Sequence, residues 1–335
     1  MIDAVSADRL FGYGNAFSHP ATGWMVGIVV GLLAMAWILV RLLRSMGKLG
    51  DKQSRELDMR IKSWSVLIPA LVIPLLLGAA WVILGLLLLC LLCFREFARA
   101  TGLFREPTTS LAVVLGILAL GFATLDHWYG FFMALQSLCV MVIAAASIFP
   151  DKPGGYIQRV ALGVFGFLLF GVGLGHIGYI ANDPDYRPYI LLLFLCVEMN
   201  DVFAYLSGKL FGKRKLAPNT SPNKTLAGSL GAILGTTALA VTAGQFVFAG
   251  TEMDTIPKLV GLGILLSMSG QLGDLLLSSI KRDIGIKDMG AAIPGHGGLL
   301  DRFDSLIIAS PAFFHYVGYF IGFGLEMPTR IFTGG

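Results

Sequence analysis

The chain has 335 residues, of which 56% are hydrophobic and only 14% charged, well below the roughly 25% charged residues of a soluble domain. With a mean hydropathy of +0.76, it holds more apolar surface than one water-facing core can bury, so lipid must solvate most of the chain. A net charge of +4 is too small to mark a nucleic-acid-binding protein.

Residues 1–22 lack a basic stretch followed by a short apolar core and a small-residue cleavage site. No cleavable signal peptide is expected, and the first apolar run should remain as a signal anchor. Ten helical spans are predicted, at 23–40, 64–79, 80–94, 110–125, 130–149, 157–180, 188–208, 226–249, 256–280 and 305–326. Helices are the form in which such runs satisfy their own backbone groups in lipid, and no alternating barrel pattern is present. The second and third spans are short and should form a tight hairpin through Gly78-Ala79-Ala80-Trp81, with Pro69 and Pro74 kinking the second. The reading is an all-α, polytopic integral membrane protein. Residues 1–63 form an anchor helix and a basic cytoplasmic loop, and residues 64–335 a membrane-embedded functional domain.

Charge sets the expected orientation. The segments 41–62, 95–109, 151–159, 209–224 and 281–304, which ten spans place on one side, hold 21 Lys and Arg, whereas the other side holds 4. That asymmetry predicts both termini outside and the basic loops in the cytoplasm. The 41–62 segment carries seven of these residues, as an orientation signal or as a surface for anionic head groups. Cys90 and Cys93 have C-x-x-C spacing, but they lie in a Leu-rich span without a second pair, so buried thiols are expected rather than a metal or redox site.

Two segments differ from ordinary connections. One runs from Asn200 to Gly228 and the other from Ser278 to Asp304. Acids inside spans are costly and usually functional, which singles out Glu198, Asp201 and Asp274. Asp274 lies seven residues before Lys281, about 10 Å along a helix, a depth at which it can face a polar cavity. The second segment sets Asp283, Asp288, Asp301 and Asp304 beside Lys281, Arg282, Lys287, Arg302 and His296. Carboxylates favour hard cations such as magnesium, and Lys and Arg favour phosphate oxygens. Such a mixture suits a metal–nucleotide complex. Gly295, Gly297 and Gly298 let backbone amides approach a ligand. The first segment adds Lys209, Lys213, Arg214, Lys215 and Lys224 with Ser221 and Thr225. No G-x-x-x-x-G-K-[ST] loop is present, so phosphate contacts must come from dispersed groups.

The run S-S-I-K-R-x4-K-D-x-G-x2-I-P-x-H-G-G-L-x-D-R-F-D, Ser278 to Asp304, resembles the signature of the phosphatidate cytidylyltransferases, or CDP-diacylglycerol synthases. The upstream D-x-F-A-Y-x-x-G-K-x-F-G-K-x-K-L-A-P-x-x-S-P-x-K-T, Asp201 to Thr225, is similar to the same family. The resemblance covers residues 190–326 and, more loosely, the chain from about 64. It implies transfer of CMP from CTP to phosphatidate, giving CDP-diacylglycerol and pyrophosphate. It also implies a metal centre at Asp274 and Asp301, with magnesium and a monovalent cation such as potassium. Lys281, Arg282, His296 and Arg302 would join those acids in catalysis. Asp201, Ser221, Lys224, Lys287, Asp288, Gly297 and Gly298 would bind substrate. A homodimer among membrane lipids is implied, in a bacterial inner (cytoplasmic) membrane with the site facing the cytoplasm. Family members usually read K-T-x-E-G where this chain has Lys224-Thr225-Leu226-Ala227-Gly228, which suggests a paralogous branch and makes a different lipid phosphate the alternative acceptor. A catalytically silent relative and a transporter are the remaining alternatives. A CDP-alcohol phosphotransferase would need D-G-x-x-A-R, and the chain contains no Asp-Gly pair.

Overall fold

The computed structural model describes residues 4–48, 50–291, 297–325 and 330–334. A short α1 (Ala4–Phe11) precedes α2 (Pro20–Ser45), α3 (Asp51–Leu77), α4 (Ala79–Thr101), α5 (Pro107–Leu125) and α6 (Tyr129–Ala146). The next pass runs through α7 (Tyr156–Gly166), a π-helical stretch at Phe167–Gly173 and α8 (Leu174–Ile180). Then come α9 (Tyr186–Phe211), an antiparallel ribbon of β1 (Lys215–Ala217) and β2 (Ser221–Thr225), α10 (Leu226–Val247) and α11 (Ile256–Asp283). The one-turn α12 (Leu300–Phe303) and α13 (Leu306–Ile321) complete the bundle. Among the described residues nine helical passes are long and apolar enough to cross a bilayer. The tenth predicted span is occupied by α13, a 16-residue helix containing Pro311. The protein is an all-α polytopic membrane protein.

One expectation needs correction. Residues 41–62 are not a loop: α2 continues to Ser45 and α3 begins at Asp51. Arg, Lys, Gln, Glu, Met and Leu are all good helix formers, so a charge-rich stretch extends both helices beyond the apolar part instead of breaking them. Arg44 of α2 and Asp58 of α3 form an exposed ion pair across this turn at 3.7 Å. The border expected at 63/64 therefore falls inside α3, which also runs on through Pro69 and Pro74. The predicted hairpin is tighter than expected, with Gly78 alone between α3 and α4. Its φ of 139° places the backbone where a Cβ would meet the Leu10 carbonyl oxygen at 2.3 Å.

Both ends of the chain lie at one end of the bundle. Arg9 bonds the His127 ring at 3.0 Å, and Arg187 donates to the carbonyls of Gly12, Asn15 and Leu75. Leu75 lies in the last turn of α3, where helix carbonyls lack intrahelical donors. Near the other terminus, Asp126 accepts from Phe332 N and from both the backbone and the hydroxyl of Thr333.

The most closely packed helices are α9, α10 and α11. Small residues bring α9 and α10 close: a Cβ at Gly231 would strike the Ser207 side chain, and one at Gly235 the Phe203 ring. This is the usual way for helices to associate in lipid, where apolar burial supplies little drive. Buried Asn200 ties the three together by accepting from Thr236 Oγ1 at 3.1 Å and Ser267 Oγ at 2.6 Å. In contrast, α2 and α3 each bury only 6% of their most apolar window, so their side chains mostly face lipid.

Candidate active site

The site forms where α9, β2, α11 and the α12 turn meet, at the end of the bundle opposite the termini. Thr225 ends β2 and caps α10, its hydroxyl accepting from Gly228 N at 3.1 Å. That cap turns the chain so that Lys224 reaches Asp274, with which it forms an ion pair. Asp274 sits two turns before the end of α11 and also accepts from Ser278 Oγ at 3.2 Å. Lys281, about two turns further along and buried, pairs with Asp301 of α12 at 2.8 Å.

Asp301 organises the loop before it. Its Oδ2 accepts from Met289 N and Gly298 N, both at 2.9 Å, while Oδ1 accepts from Lys281. Gly297 has φ of 82°, and a Cβ there would crowd Asp288 and Asp301. A Cβ at Gly298 would lie 2.5 Å from Glu96 Oε2 and 2.8 Å from Gly290 N. The glycines are thus required by both conformation and closeness. Glu96, near the end of α4, accepts from Leu299 N at 3.0 Å and Leu300 N at 2.9 Å, capping the start of α12 with negative charge.

A polar cavity of about 180 Å³ is lined by Trp64, Glu198, Asp201, Asp274, Asp301, Arg302, Asp304 and Ser305, with Val197. Arg302 Nε is buried and has no hydrogen-bond partner among the described residues. Burial pushes the Asp304 carboxyl above the ordinary carboxylate range, and the negative charge of Asp274 adds to the shift. Five carboxylates thus face three cations, Lys224, Lys281 and Arg302.

Of the residues singled out in the sequence, Asp201, Asp274, Asp301 and Arg302 line this cavity, and Lys224 and Lys281 reach it through their acid partners. Gly297 and Gly298 shape its loop. Arg282 is exposed and donates to Thr220 O and Ile286 O, linking the end of α11 to the ribbon turn. Ser221 starts β2, and Lys287 and Asp288 are exposed on the connecting loop. His296 lies outside the described residues. Glu198 and Asp304 were visible in the sequence as acids but not as cavity walls, and Glu96 and Trp64 were not singled out at all.

The donor set is compatible with magnesium. Among the described residues no three His, Cys, Asp or Glu form a closed metal cage, but magnesium usually takes one or two carboxylates plus substrate phosphates and water. Asp274 is half-buried beside the cavity. Asp301 already accepts three hydrogen bonds, and a carboxylate has about four lone-pair sites, so it retains about one.

Comparisons with known proteins find relatives along most of the chain. A family model described as the cytidylyltransferase family matches residues 58–320. A protein of Escherichia coli strain K12 called uncharacterized protein YnbB is 31% identical over 296 residues, covering 86% of this chain and 95% of that one. Phosphatidate cytidylyltransferases of Staphylococcus aureus strain COL and Staphylococcus haemolyticus strain JCSC1435 are 43% and 44% identical over 140 residues. Those alignments cover 42% of this chain, and the chain spans about half, 53%, of each enzyme.

Proposed function

The chain belongs to the cytidylyltransferase family, and on that premise we propose that it transfers CMP from CTP to a lipid phosphate, with phosphatidate the favoured acceptor, releasing pyrophosphate. The observation that carries this reading is the convergence of both motif segments on one cavity, through the Lys224–Asp274 and Lys281–Asp301 pairs. A lipid phosphate is already ionised and needs no strong protein base. One of its oxygens bonds to the α-phosphorus of CTP, and the bond from that phosphorus to the oxygen bridging to the β-phosphorus breaks. Pyrophosphate leaves with the electron pair.

The chief obstacle is repulsion between two anions, and positioning with charge neutralisation is the main task in such transfers. Arg302, which lines the cavity, would donate from its guanidinium to a phosphate oxygen. Lys224 and Lys281 would share their charge between their acids and the triphosphate. Lys224 and Lys281 are already paired with acids, so the cavity's cations alone do not neutralise a triphosphate. Asp274, with Asp301 and the neighbouring acids, would hold magnesium, alongside a monovalent cation such as potassium. Magnesium would supply the missing positive charge at the triphosphate. Gly297 and Gly298 shape the loop held by Asp301, and Ser221, Arg282, Lys287, Asp288 and His296 would contact the nucleotide.

CTP is soluble and the acceptor is in the bilayer, so the site must lie at a membrane surface. The 21-to-4 distribution of Lys and Arg favours the cytoplasmic face of a bacterial inner membrane, with both termini outside. A homodimer is proposed on the family's pattern. Purified protein supplied with labelled CTP, magnesium and a panel of lipid phosphates tests the acceptor: phosphatidate should give the highest kcat/KM. Preference for another lipid phosphate would assign the chain to a branch signalled by Leu226-Ala227, and no CTP consumption with any of them would overturn the activity.

A further inference from the structure

An apolar groove of about 580 Å³ runs between α2, α3 and α9, within the roughly 300–1,000 Å³ range of small-molecule sites. Leu32, Ala36 and Leu39 of α2 form one wall, Leu71 of α3 a second, and Phe194 of α9 a third. Among the described residues that line it, Glu198 alone is ionisable. Trp64 and Glu198 line both this groove and the polar cavity of the candidate active site, so the two voids meet at those side chains. A molecule with its phosphate among Asp274, Asp301 and Arg302 and an apolar tail has this groove as its continuation inside the membrane.

We propose that the groove receives one acyl chain of the acceptor lipid and that α2, as its outer wall, determines which lipid phosphate is used. The proposal rests on the acceptor being a lipid phosphate. Two further observations support this occupant. Two of the walls, α2 and α3, bury only 6% of their most apolar windows, so a chain can enter from the bilayer between them without dismantling a packed core. In addition, α2 precedes residue 58, where the family match begins, so this wall is an addition to the matched region and a place for selectivity of its own. Bilayer lipid is as apolar as the groove, and moving a chain from one to the other gains little hydrophobic free energy. Selection must therefore come from shape: chains that fill the groove without strain keep their phosphate in register with the cavity.

The test uses the full-length protein in phosphatidylcholine vesicles or mixed micelles, with dioctanoyl and dioleoyl phosphatidates as competing acceptors. Ala36→Phe fills the groove from α2. Overpacking of this kind should lower kcat/KM for the long-chain acceptor relative to the short-chain one by at least roughly fivefold. Ile38→Phe, on the same helix but outside the groove, should leave the ratio unchanged. A ratio unaltered by Ala36→Phe in an active protein overturns the proposal, as does an equal change in Ile38→Phe. A second readout needs no turnover. Phosphatidate with a photoreactive group near the end of one chain should label peptides of α2 and α3, and excess phosphatidate but not phosphatidylcholine should suppress the labelling. Equal suppression by both means that ordinary bilayer lipid occupies the groove, and labelling elsewhere excludes it as the acyl site. A wild-type protein that consumes no lipid phosphate defeats the proposed activity, whereas the labelling pattern decides the groove separately.

Discussion

Replacing Glu96 with Ala removes the acceptor for Leu299 N and Leu300 N, at 3.0 and 2.9 Å. Hydrogen bonds to a charged group contribute about 1.5–3 kcal/mol each. The lower figure suits an acid that is only partly buried, and two bonds then amount to about 3 kcal/mol. That shifts the loop roughly 10²-fold away from the arrangement in which Gly298 N and Met289 N converge on Asp301. If transfer requires the docked loop, kcat/KM should fall by roughly 10²-fold in Glu96→Ala, and less in Glu96→Gln, which keeps one uncharged acceptor oxygen. The assay is CMP transfer to phosphatidate at saturating CTP, with the thermal midpoint measured on the same preparations. The midpoint should change little, because the α9–α10–α11 core does not depend on this loop. Activity in Glu96→Ala within roughly threefold of wild type would refute the claim that Glu96 positions the site.

Three other outcomes follow from the same geometry. Asp274→Asn should fold normally, since the side chain is half-buried, yet lose roughly 10²-fold or more in rate; near-normal turnover would remove Asp274 from the chemistry. Asp301→Asn should lower the thermal midpoint as well as activity, because it leaves the buried Lys281 ammonium uncompensated at a cost of about 3–5 kcal/mol. Adding Lys281→Met should restore part of the stability and none of the activity, and a single variant as stable as wild type would contradict this pairing. A Cys placed at Ser221 should react with an impermeant thiol reagent only from the cytoplasmic side, against a low background because all four native cysteines are buried. Labelling from outside would invert the topology.

The apolar runs made the helical passes legible, and the helices exceed the predicted spans mainly at polar ends. The sequence missed the helical nature of much of 41–62 because hydropathy marks where a helix leaves lipid, not where it stops; α2 stops only at the Met46-Gly47 turn. The Asp274 and Asp301 neighbourhood was legible because charge inside or beside a span is costly and must have a partner. The lysine partners were visible as residues, but the specific pairing was not, since it depends on the Thr225 cap and the meeting of β2 with α11. Glu96 left no signal. It lies 203 positions from Leu299 and bonds backbone amides, which every residue but proline offers, so no residue pattern announces the contact. Trp64 was equally hidden, as an aromatic on a lipid-facing helix that becomes a wall only when α2 and α9 close against it.

The most direct measurement follows the phosphorus atoms. With CTP labelled at the α-phosphorus, magnesium and phosphatidate, the account predicts label in a CDP-lipid, together with an equal amount of unlabelled pyrophosphate. With CTP labelled at the γ-phosphorus, the label should appear only in pyrophosphate. Release of α-label as free CMP without a CDP-lipid, or transfer of γ-label to the lipid, would contradict the account.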